Sequence, residues 1–235
     1  IFNVPVYEEG PLAGVEFNLE SVVVNINKKN TSEILGEECI TIAGKPTILE
    51  EVAGMSFEIS PLSFYQVNRE QMVKLYGKAI EYADLKGGET VLDLYCGAGT
   101  IGLSMAKKAK KIIGVEIVAE AVEDAKFNAK ANEIENAKFI CADAAEAAEQ
   151  LAKSGISADV VIVDPPRKGC SQELIETISQ KFSPEKVVYV SCDPATLARD
   201  VEIFSRLGYF LKEYTPVDLF PRTSHVETVA LLVKN

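Results

Sequence analysis

Residues 91–102 read Val91-Leu92-Asp93-Leu94-Tyr95-Cys96-Gly97-Ala98-Gly99-Thr100-Ile101-Gly102. The apolar run at their start predicts a buried β-strand, and the glycines predict a sharp turn into an amphipathic helix. Glycine lets a backbone approach a ligand closely, and the N-terminus of the following helix offers unpaired N–H groups. The spacing Gly97-x-Gly99-x-x-Gly102 is typical of nucleotide- and nucleoside-binding α/β folds, but a tight turn without a ligand also fits it.

Two acidic residues narrow this choice. Asp93 lies inside the first strand, and Glu116 ends the next apolar run. A carboxylate at the end of the second strand of such a unit can accept hydrogen bonds from both hydroxyls of a ribose. The run from Asp93 to Gly99 resembles the S-adenosylmethionine (SAM) loop of class I methyltransferases, whereas in NAD-binding units the strand usually passes straight into the glycines. We therefore favour SAM, with a nicotinamide-dependent oxidoreductase as the alternative.

The sequence after Thr90 alternates regularly between strand and helix patterns, which predicts a doubly wound, mainly parallel α/β sheet. The expected strands lie near residues 90–95, 111–116, 137–142, 158–163 and 186–191. The expected helices lie near residues 100–108, 118–132, 144–153, 171–182 and 195–206. The tail predicts an antiparallel edge hairpin of Phe210–Val217 and Val226–Val233, as class I methyltransferases have.

The first part of the chain is rich in short β-strand patterns, with expected strands near 22–27, 39–42 and 55–59. A helix over 69–83, with Asn68 as its N-cap, follows them. We predict a small, mostly antiparallel β-rich subdomain over residues 1–62 and a catalytic domain over residues 63–235.

The composition is that of an ordinary globular protein, since 47% of the 235 residues are hydrophobic and 25% are charged. The apolar runs are too short to cross a bilayer and no leader pattern is present, so we expect neither a membrane span nor a secretory signal. The five cysteines are scattered and contain no Cys-x-x-Cys pair. This pattern favours a reducing cytoplasm and argues against a disulfide framework or a metal site.

The formal net charge of −11 is unusual for a protein that binds nucleic acid, because phosphate contacts usually need a basic surface. The sequence begins at Ile1, not Met, and enters strand-like sequence directly. We therefore expect a missing N-terminal segment to carry much of any polyanion binding.

Candidate site residues follow the strands, because ligands of open α/β sheets lie outside the carboxyl ends of the strands. They are Tyr95 with Gly97 and Gly99, Glu116, Asp143, Asp164 and Cys192. Asp143 suits either a hydrogen bond from an adenine amine or the N-cap of the next helix. Asp164-Pro165-Pro166 resembles the motif of amino-group methyltransferases, but Arg167 stands where those enzymes have an aromatic residue.

Cys192 follows an apolar strand and precedes Asp193-Pro194, so we expect it at the cleft as a nucleophile. Cys39 and Cys141 fit small buried hydrophobic positions, and Cys96 fits packing within the loop. Carbon 5 of a pyrimidine attacks a SAM methyl group only after a thiolate has added to carbon 6. A base must then remove the carbon 5 proton; Glu227 is the first candidate and His225 the second.

Six motifs together resemble the SAM-dependent RNA 5-methyluridine methyltransferases. They are Ser63-Phe64-Tyr65-Gln66-Val67-Asn68, Asp93-Leu94-Tyr95-Cys96-Gly97-x-Gly99-Thr100, Gly114-Val115-Glu116, Asp164-Pro165-Pro166-Arg167-Lys168-Gly169, Tyr189–Asp200 and His225-Val226-Glu227-Thr228-Val229. They occur in the order that the family shows. Residues 1–62 are similar to the family's central β-rich subdomain.

This resemblance implies a class I methyltransferase fold and methyl transfer to carbon 5 of a uridine in RNA, either 23S rRNA or tRNA. It implies that SAM is bound by the glycine loop and by a set of side chains: Gln66, Tyr95, Glu116 and Asp164, with Thr100 and Asp143 as weaker members. It implies that Cys192 is the nucleophile and Glu227 the base, and that Arg199 helps to position the site or the RNA. Family members often carry an N-terminal RNA-binding domain, and some carry an iron–sulfur site; we expect a monomer. A SAM-binding RNA module without catalysis is the remaining alternative.

Overall fold

The structure is a computed structural model that describes residues 20–28, 35–36, 38–66 and 68–235. Contacts divide the chain into two compact units, Ile1–Ile48 and Leu49–Asn235. Residues 1–19 of the expected β-rich subdomain lie outside the described residues. The expected division of domains after residue 62 stays a prediction.

The first unit contains an antiparallel pair of strands, β1 (Ser21–Ile26) and β2 (Glu38–Gly44). The Asn25 side chain joins this pair to Gly36, because its Oδ1 accepts the Gly36 N–H at 2.7 Å and its Nδ2 donates to the Gly36 carbonyl at 2.8 Å. Both strands fall where the β-branched runs predict them.

A second small sheet pairs β3 (Ile48–Val52) with β4 (Met55–Ile59). The two strands are joined by Ala53 and Gly54, which both have positive φ angles, as a two-residue hairpin turn requires. Strand β3 is not among the predicted strands, because its charged centre weakens its strand pattern.

The main sheet has seven strands in the order β10-β11-β9-β8-β5-β6-β7. Its strands are β5 (Thr90–Leu94), β6 (Lys111–Glu116), β7 (Ala137–Cys141), β8 (Val160–Val163), β9 (Lys186–Ser191), β10 (Tyr209–Val217) and β11 (Glu227–Lys234). The five central and edge strands β5 to β9 are parallel, whereas β11 pairs antiparallel with both β9 and β10. The predicted doubly wound sheet with an antiparallel edge hairpin is therefore confirmed.

The helices cover both faces of this sheet. They are α1 (Arg69–Ala83), α2 (Thr100–Met105), α3 (Ala119–Ala131), α4 (Ala144–Lys153), α5 (Gln172–Glu176) and α6 (Pro194–Arg206). Alternate residues of each strand point to opposite faces, so the sheet builds two cores. On one face of the sheet, β3, β4, α1 and α2 pack against strand residues such as Val91 and Ile162. On the other face, α4, α5 and α6 pack against strand residues such as Leu92 and Val161.

Two helices differ from their expected lengths. The helix expected over 100–108 is α-helical only to Met105 and tightens into a 3₁₀ turn over Ala106–Lys108. The helix expected over 171–182 widens into a π-helical segment over Thr177–Phe182. None of the described helices has the length and apolar character needed to cross a membrane.

Two cysteines are not buried as expected, and this expectation was wrong. Cys141 is exposed, because β7 is the last strand of the sheet and has a neighbour on one side only. Cys39 is half-buried on the two-stranded sheet of the first unit. Cys96 is buried within the glycine loop, as expected.

Candidate active site

The candidate site lies where the direction of winding of the sheet reverses. The chain builds β5, β6 and β7 outward on one side and then crosses to β8 on the other side of β5. Ligands of open α/β sheets bind in the crevice outside the strand ends at such a point. Because β11 runs antiparallel to β9, the first residue of β11, Glu227, lies beside the carboxyl end of β9.

The glycine loop after β5 is held in a strained conformation. Tyr95, Gly97 and Gly99 all have positive φ angles, of 66°, 54° and 81°, and only the two glycines adopt them without a penalty from Cβ. A Cβ on Gly99 would lie 3.1 to 3.3 Å from Leu103, Phe139 and Ala125. The loop backbone therefore packs closely on the interior and leaves its other side for the crevice.

Glu116 ties the glycine loop to the turn after β6. Its Oε2 accepts the Gly97 N–H at 3.1 Å, and its Oε1 accepts the N–H groups of Ile117 and Val118 at 2.8 and 2.9 Å. Three backbone donors thus fix the carboxylate at the strand end. A fixed acceptor at this position suits the hydroxyls of a ribose.

Asp93 is buried at the foot of the loop, inside β5. Its Oδ2 accepts the Gly102 N–H at 3.0 Å, while its Oδ1 has no hydrogen-bond partner among the described residues. Burial raises the pKa of this carboxyl to about 7. The hydrogen bond from Gly102 lowers the pKa in part, and the nearby Glu116 carboxylate raises it further.

Cys192 and Glu227 are brought together by strand register. Thr228 on β11 pairs with Ser191 on β9. Because the strands are antiparallel, Glu227, one residue before Thr228, and Cys192, one residue after Ser191, are neighbours at the crevice. Cys192 is half-buried and Glu227 is buried, with 4% of its surface exposed. The structure therefore places a thiol and a carboxyl group side by side at the crevice.

The charges around this pair are mostly acidic. Burial raises the pKa of the Cys192 thiol, and the carboxylates of Glu227 and Asp164 raise it further, while Arg167 lowers it. Burial also raises the pKa of Glu227, against the opposing effect of Arg167. The pKa of Asp164 is well above its ordinary value because of burial and of its carboxylate neighbours Glu227 and Asp93. These interactions link Cys192, Glu227, Asp164 and Asp93 in one acidic site, on which Arg167 also acts electrostatically.

Gln66 lies on the segment that precedes α1. Its side chain is 97% buried, and its Oε1 has no hydrogen-bond partner among the described residues. The adjacent Tyr65 hydroxyl is also buried without a partner in this part of the chain, and burial raises its pKa to about 12. Buried polar atoms without partners are rare and costly, so a bound ligand is a physical reason for their presence.

The strand β4, which leads to the segment with Gln66, is held in place by polar side chains of α3 and of its C-cap residue, Asn132. Asn132 and Asn128 each form two hydrogen bonds with the backbone of one β4 residue. In each case the side-chain amide oxygen accepts the backbone N–H of that residue, and the side-chain amide nitrogen donates to its backbone carbonyl. Asn132 binds Ser56 at 3.1 and 2.7 Å, and Asn128 binds Glu58 at 2.7 and 3.0 Å. The two amides thus bind the exposed edge of β4 as a neighbouring strand would.

Two further contacts continue this ladder to the site. Asp124, one helical turn before Asn128, accepts the Ser60 N–H at 2.8 Å and the Ser63 hydroxyl at 2.6 Å. Asn128 also donates to the carbonyl of Ala98 in the glycine loop at 3.2 Å. The helical partners are four residues apart, a rise of about 6 Å, and their partners in the strand segment are two residues apart, a rise of about 6.6 Å. These two distances are nearly equal, so successive helix side chains can reach successive backbone groups.

The remaining predicted residues have structural partners. Asp143 is the N-cap of α4, since its Oδ1 accepts the N–H groups of Ala145 and Glu146 at 2.9 and 3.2 Å. Thr100 is buried at the start of α2, where its side chain lowers the pKa of Tyr76 against the larger effect of burial. The exposed His225 ring packs edge-on against Phe220, with 6.3 Å between ring centres.

Several residues at the site gave no usable signal in the sequence. Tyr76 reads as a core position of an amphipathic helix, yet its hydroxyl interacts electrostatically with Asp164 and Asp93. Asn68 was predicted only as the N-cap of α1, and it also donates to the Leu219 carbonyl at 3.0 Å, in the connection that leads to Glu227. No group of three or more His, Cys, Asp or Glu side chains in the described ranges is arranged to hold a metal ion.

The strand order and the site at the switch point define a class I methyltransferase. A family model described as tRNA (uracil-5-)-methyltransferase matches residues 50–235. The chain belongs to this family.

Curated relatives agree with this assignment. An uncharacterized RNA methyltransferase of Clostridium tetani is 51% identical over 212 residues, which cover 90% of this chain and 46% of that protein. One of Staphylococcus aureus is 51% identical over 214 residues, with 91% and 47% covered. The chain thus spans about half the length of the curated relatives it matches.

Solved structures show the same architecture. The tRNA (uracil-54, C5)-methyltransferase of Pyrococcus abyssi, in complex with S-adenosyl-L-homocysteine, matches with a TM-score of 0.75 and 35% identity, over 92% of this chain and 52% of that one. TYW2 of M. jannaschii, in complex with AdoMet, matches with a TM-score of 0.61 and 18% identity, over 84% of this chain and 91% of that one. The second likeness concerns the fold alone.

Proposed function

We propose that this chain transfers a methyl group from SAM to carbon 5 of a uridine in RNA, with Cys192 as nucleophile and Glu227 as base. The observation that carries this proposal is the register of β11 on β9, which sets a thiol beside a buried carboxyl group at the switch point of the sheet. The tRNA (uracil-5-)-methyltransferase family and the similar tRNA (uracil-54, C5)-methyltransferase of Pyrococcus abyssi support the choice of uracil.

The residues of the crevice fit SAM as the cofactor. Gln66 Oε1 and Asp93 Oδ1 are buried acceptors without partners among the described residues, and Glu116 is an acceptor fixed at the strand end. The carboxyl groups of Asp93, Asp164 and Glu227 favour a ligand with positive charge, and SAM carries it on its sulfonium and ammonium groups. Ile117, 65% exposed after Glu116, offers an apolar surface to a purine ring. We propose that Gln66, Tyr95, Gly97, Gly99, Glu116 and Asp164 bind SAM, with smaller contributions from Thr100 and Asp143.

The thiolate of Cys192 would add to carbon 6 of the uracil ring, and the electrons of the ring double bond would move so that carbon 5 becomes nucleophilic. SAM, when bound, supplies the methyl group that carbon 5 takes, and the electrons of the broken methyl–sulfur bond remain on the cofactor sulfur. The backbone N–H of Cys192 and the Arg167 side chain lower the pKa of this thiol, so both favour the reactive thiolate.

Glu227 would complete the reaction by removing the proton from carbon 5. The ring double bond then forms again, and the bond between carbon 6 and the Cys192 sulfur breaks. Burial raises the pKa of Glu227 above its ordinary value, which makes its carboxylate a stronger base than an exposed one. A uridine inside folded RNA has to leave its stack to reach this pair.

The test is covalent trapping with RNA that contains 5-fluorouridine, because fluorine does not leave as a proton does. The full-length protein is incubated with SAM and stem-loop RNAs from tRNA and from 23S rRNA, and the adduct is mapped by mass spectrometry. We expect a methylated adduct on Cys192 with one of the two RNAs, and none with Cys192→Ala.

The matched control is Cys39→Ala, since Cys39 lies on the two-stranded sheet of the first unit and not on the sheet that carries the crevice. This variant is expected to form the adduct at the wild-type level. A full-length protein that binds SAM and both RNAs but forms no adduct would overturn the covalent mechanism, and the non-catalytic SAM-binding module would replace it.

A further inference from the structure

The loop after β8 is fastened to α6 by a buried carboxylate that the proposed mechanism does not use. This loop, residues 164–170, carries Asp164 at its start and Arg167 at its centre. Asp200 of α6 has no exposed surface. A buried carboxylate is costly unless it is paired, so its partners show what it is there to hold.

Asp200 binds three different parts of the structure. Its Oδ2 accepts the Cys170 N–H at 2.8 Å and the Tyr189 hydroxyl at 2.7 Å. Its Oδ1 accepts the Nε and Nη2 groups of Arg199 at 2.8 and 2.6 Å. The carboxylate therefore joins the end of the loop, the strand β9 that leads to Cys192, and the guanidinium of Arg199.

Arg199 and Thr196 extend this network along the loop. Arg199 Nη2 donates to the Lys168 carbonyl at 2.8 Å, and Thr196 Oγ1 donates to the Arg167 carbonyl at 3.0 Å. Gly169 lies against the same groups, since a Cβ there would come within 2.5 Å of Asp200 Oδ2 and 2.4 Å of Thr196 Cγ2. The backbone on both sides of Arg167 is thus fixed to α6.

Arg167 lies beside the first turn of α6, since its carbonyl is bonded to Thr196, four residues after Cys192, and its side chain is exposed. It acts electrostatically on Cys192, on Glu227 and on Asp193, and it lowers the pKa of each of them. The other charged groups that act on Cys192 are Glu227 and Asp164, and both raise its pKa. Among these charged side chains Arg167 is the one that favours the thiolate, and it does so together with the backbone N–H of Cys192.

We propose that Asp200 is a positioning residue that, through Arg199 and the Cys170 backbone, holds the 164–170 loop so that Arg167 acts electrostatically on Cys192 and Glu227. This inference rests on the proposed roles of Cys192 and Glu227 and adds the device that places their cationic neighbour. Asp200 itself touches neither substrate nor cofactor in this scheme.

The test measures alkylation of Cys192 as a function of pH, which needs neither RNA nor methyl transfer. The protein is treated with iodoacetamide from neutral to alkaline pH, and the Cys192 peptide is followed by mass spectrometry, so that the other cysteines do not interfere. We expect Asp200→Asn to shift the profile to higher pH and to slow alkylation at neutral pH about three- to tenfold, because the thiolate loses a nearby cation.

Three variants separate positioning from simple damage. Glu202→Gln removes a carboxylate from an exposed ion pair with Arg206 on the same helix, and it should leave the profile unchanged. Thr196→Val removes the bond to the Arg167 carbonyl, together with the effect of the Thr196 hydroxyl on Asp193, and should shift the profile in the same direction even if Asp200→Asn does not fold. Arg167→Gln should itself slow alkylation and should make a second change at Asp200 or Thr196 ineffective.

The outcomes are distinct. A folded Asp200→Asn or Thr196→Val protein with a wild-type profile would overturn the positioning role. The same conclusion follows if either change slows alkylation equally with and without Arg167. Failure of the proposed methyltransferase function would instead appear as absence of the fluorouridine adduct, whatever the alkylation profile shows.

Discussion

At the scale of single residues, the charge around Cys192 defines how the site works. Burial and two carboxylates raise the pKa of the thiol, and the backbone N–H of Cys192 and the Arg167 side chain oppose them. A thiol in such surroundings is poorly reactive until a cation is nearby. The positive charge of bound SAM would supply one, so we interpret the acidic crevice as a site that becomes reactive when the cofactor is present.

Glu227→Gln tests the base at this scale. We expect turnover to fall about 10²- to 10⁴-fold, because the carbon 5 proton no longer has an acceptor. The enzyme should then accumulate a covalent, methylated complex with ordinary uridine RNA, visible on a denaturing gel and by mass. His225→Gln is the comparison variant; if it accumulates the complex and Glu227→Gln does not, the base is His225.

Asp93 predicts a pH dependence of stability. Folding raises the pKa of its carboxyl from 3.8 to about 7, so between these values the native state binds more protons than the unfolded state. Stability contributed by this group is therefore present below the lower value and lost as the pH rises through the upper one. Asp93→Asn should remove this loss and gain about 2 to 4 kcal/mol in free energy of unfolding above the folded pKa.

Chemical denaturation of both proteins across this pH range measures the difference. The two curves should meet at acidic pH and separate towards neutral pH. Asp218→Asn, a change of an exposed carboxylate, should follow the wild type. A constant offset between wild type and Asp93→Asn at every pH would show that Asp93 does not titrate in this range.

At the scale of elements, α3 connects two parts of the site that are far apart in sequence. Its polar side chains bind the backbone of β4 and of Ser60 in the segment leading to Gln66, and Asn128 also binds the glycine loop. The helix thus sets the distance between the loop and Gln66. This role explains why a fully buried residue of α3 is an asparagine.

Asn128→Ala and Asn132→Ala form a matched pair for this idea. Each variant loses two bonds of the same kind to the backbone of β4. Each should therefore lower the free energy of unfolding by about 1 to 3 kcal/mol. Only Asn128→Ala also loses the contact with the Ala98 carbonyl, so its Kd for SAM should rise about tenfold while that of Asn132→Ala changes less than about threefold. Calorimetric titration measures both, and equal changes would contradict the coupling.

At the scale of the whole molecule, the net charge of −11 limits how this chain binds RNA. Few phosphate contacts give weak binding with a shallow dependence on salt concentration. We expect this chain to bind a stem-loop RNA more weakly, and with a smaller slope against salt, than the full-length Clostridium tetani relative, of which it matches 46%. Fluorescence anisotropy over a salt series measures both, and equal slopes would place the phosphate contacts within this chain.

The sequence alone determined the order of the elements and the residues at the strand ends. The bounds of α1 and α4 and of β6 and β9 agree with the expectations, because periodicity, caps and glycines act over a few neighbouring residues. Since ligands of such sheets lie at the carboxyl ends of strands, Glu116, Asp164 and Cys192 could be named as candidates from position alone.

Only the tertiary structure decided which polar groups meet. The neighbourhood of Glu227 and Cys192 depends on the register of two antiparallel strands, and the exposure of Cys141 depends on β7 being an edge strand. The bonds of Asn128 to β4 and of Asp200 to the loop join residues that are 70 and 30 positions apart. Local patterns do not encode such pairings, because they arise from the packing of whole elements against each other.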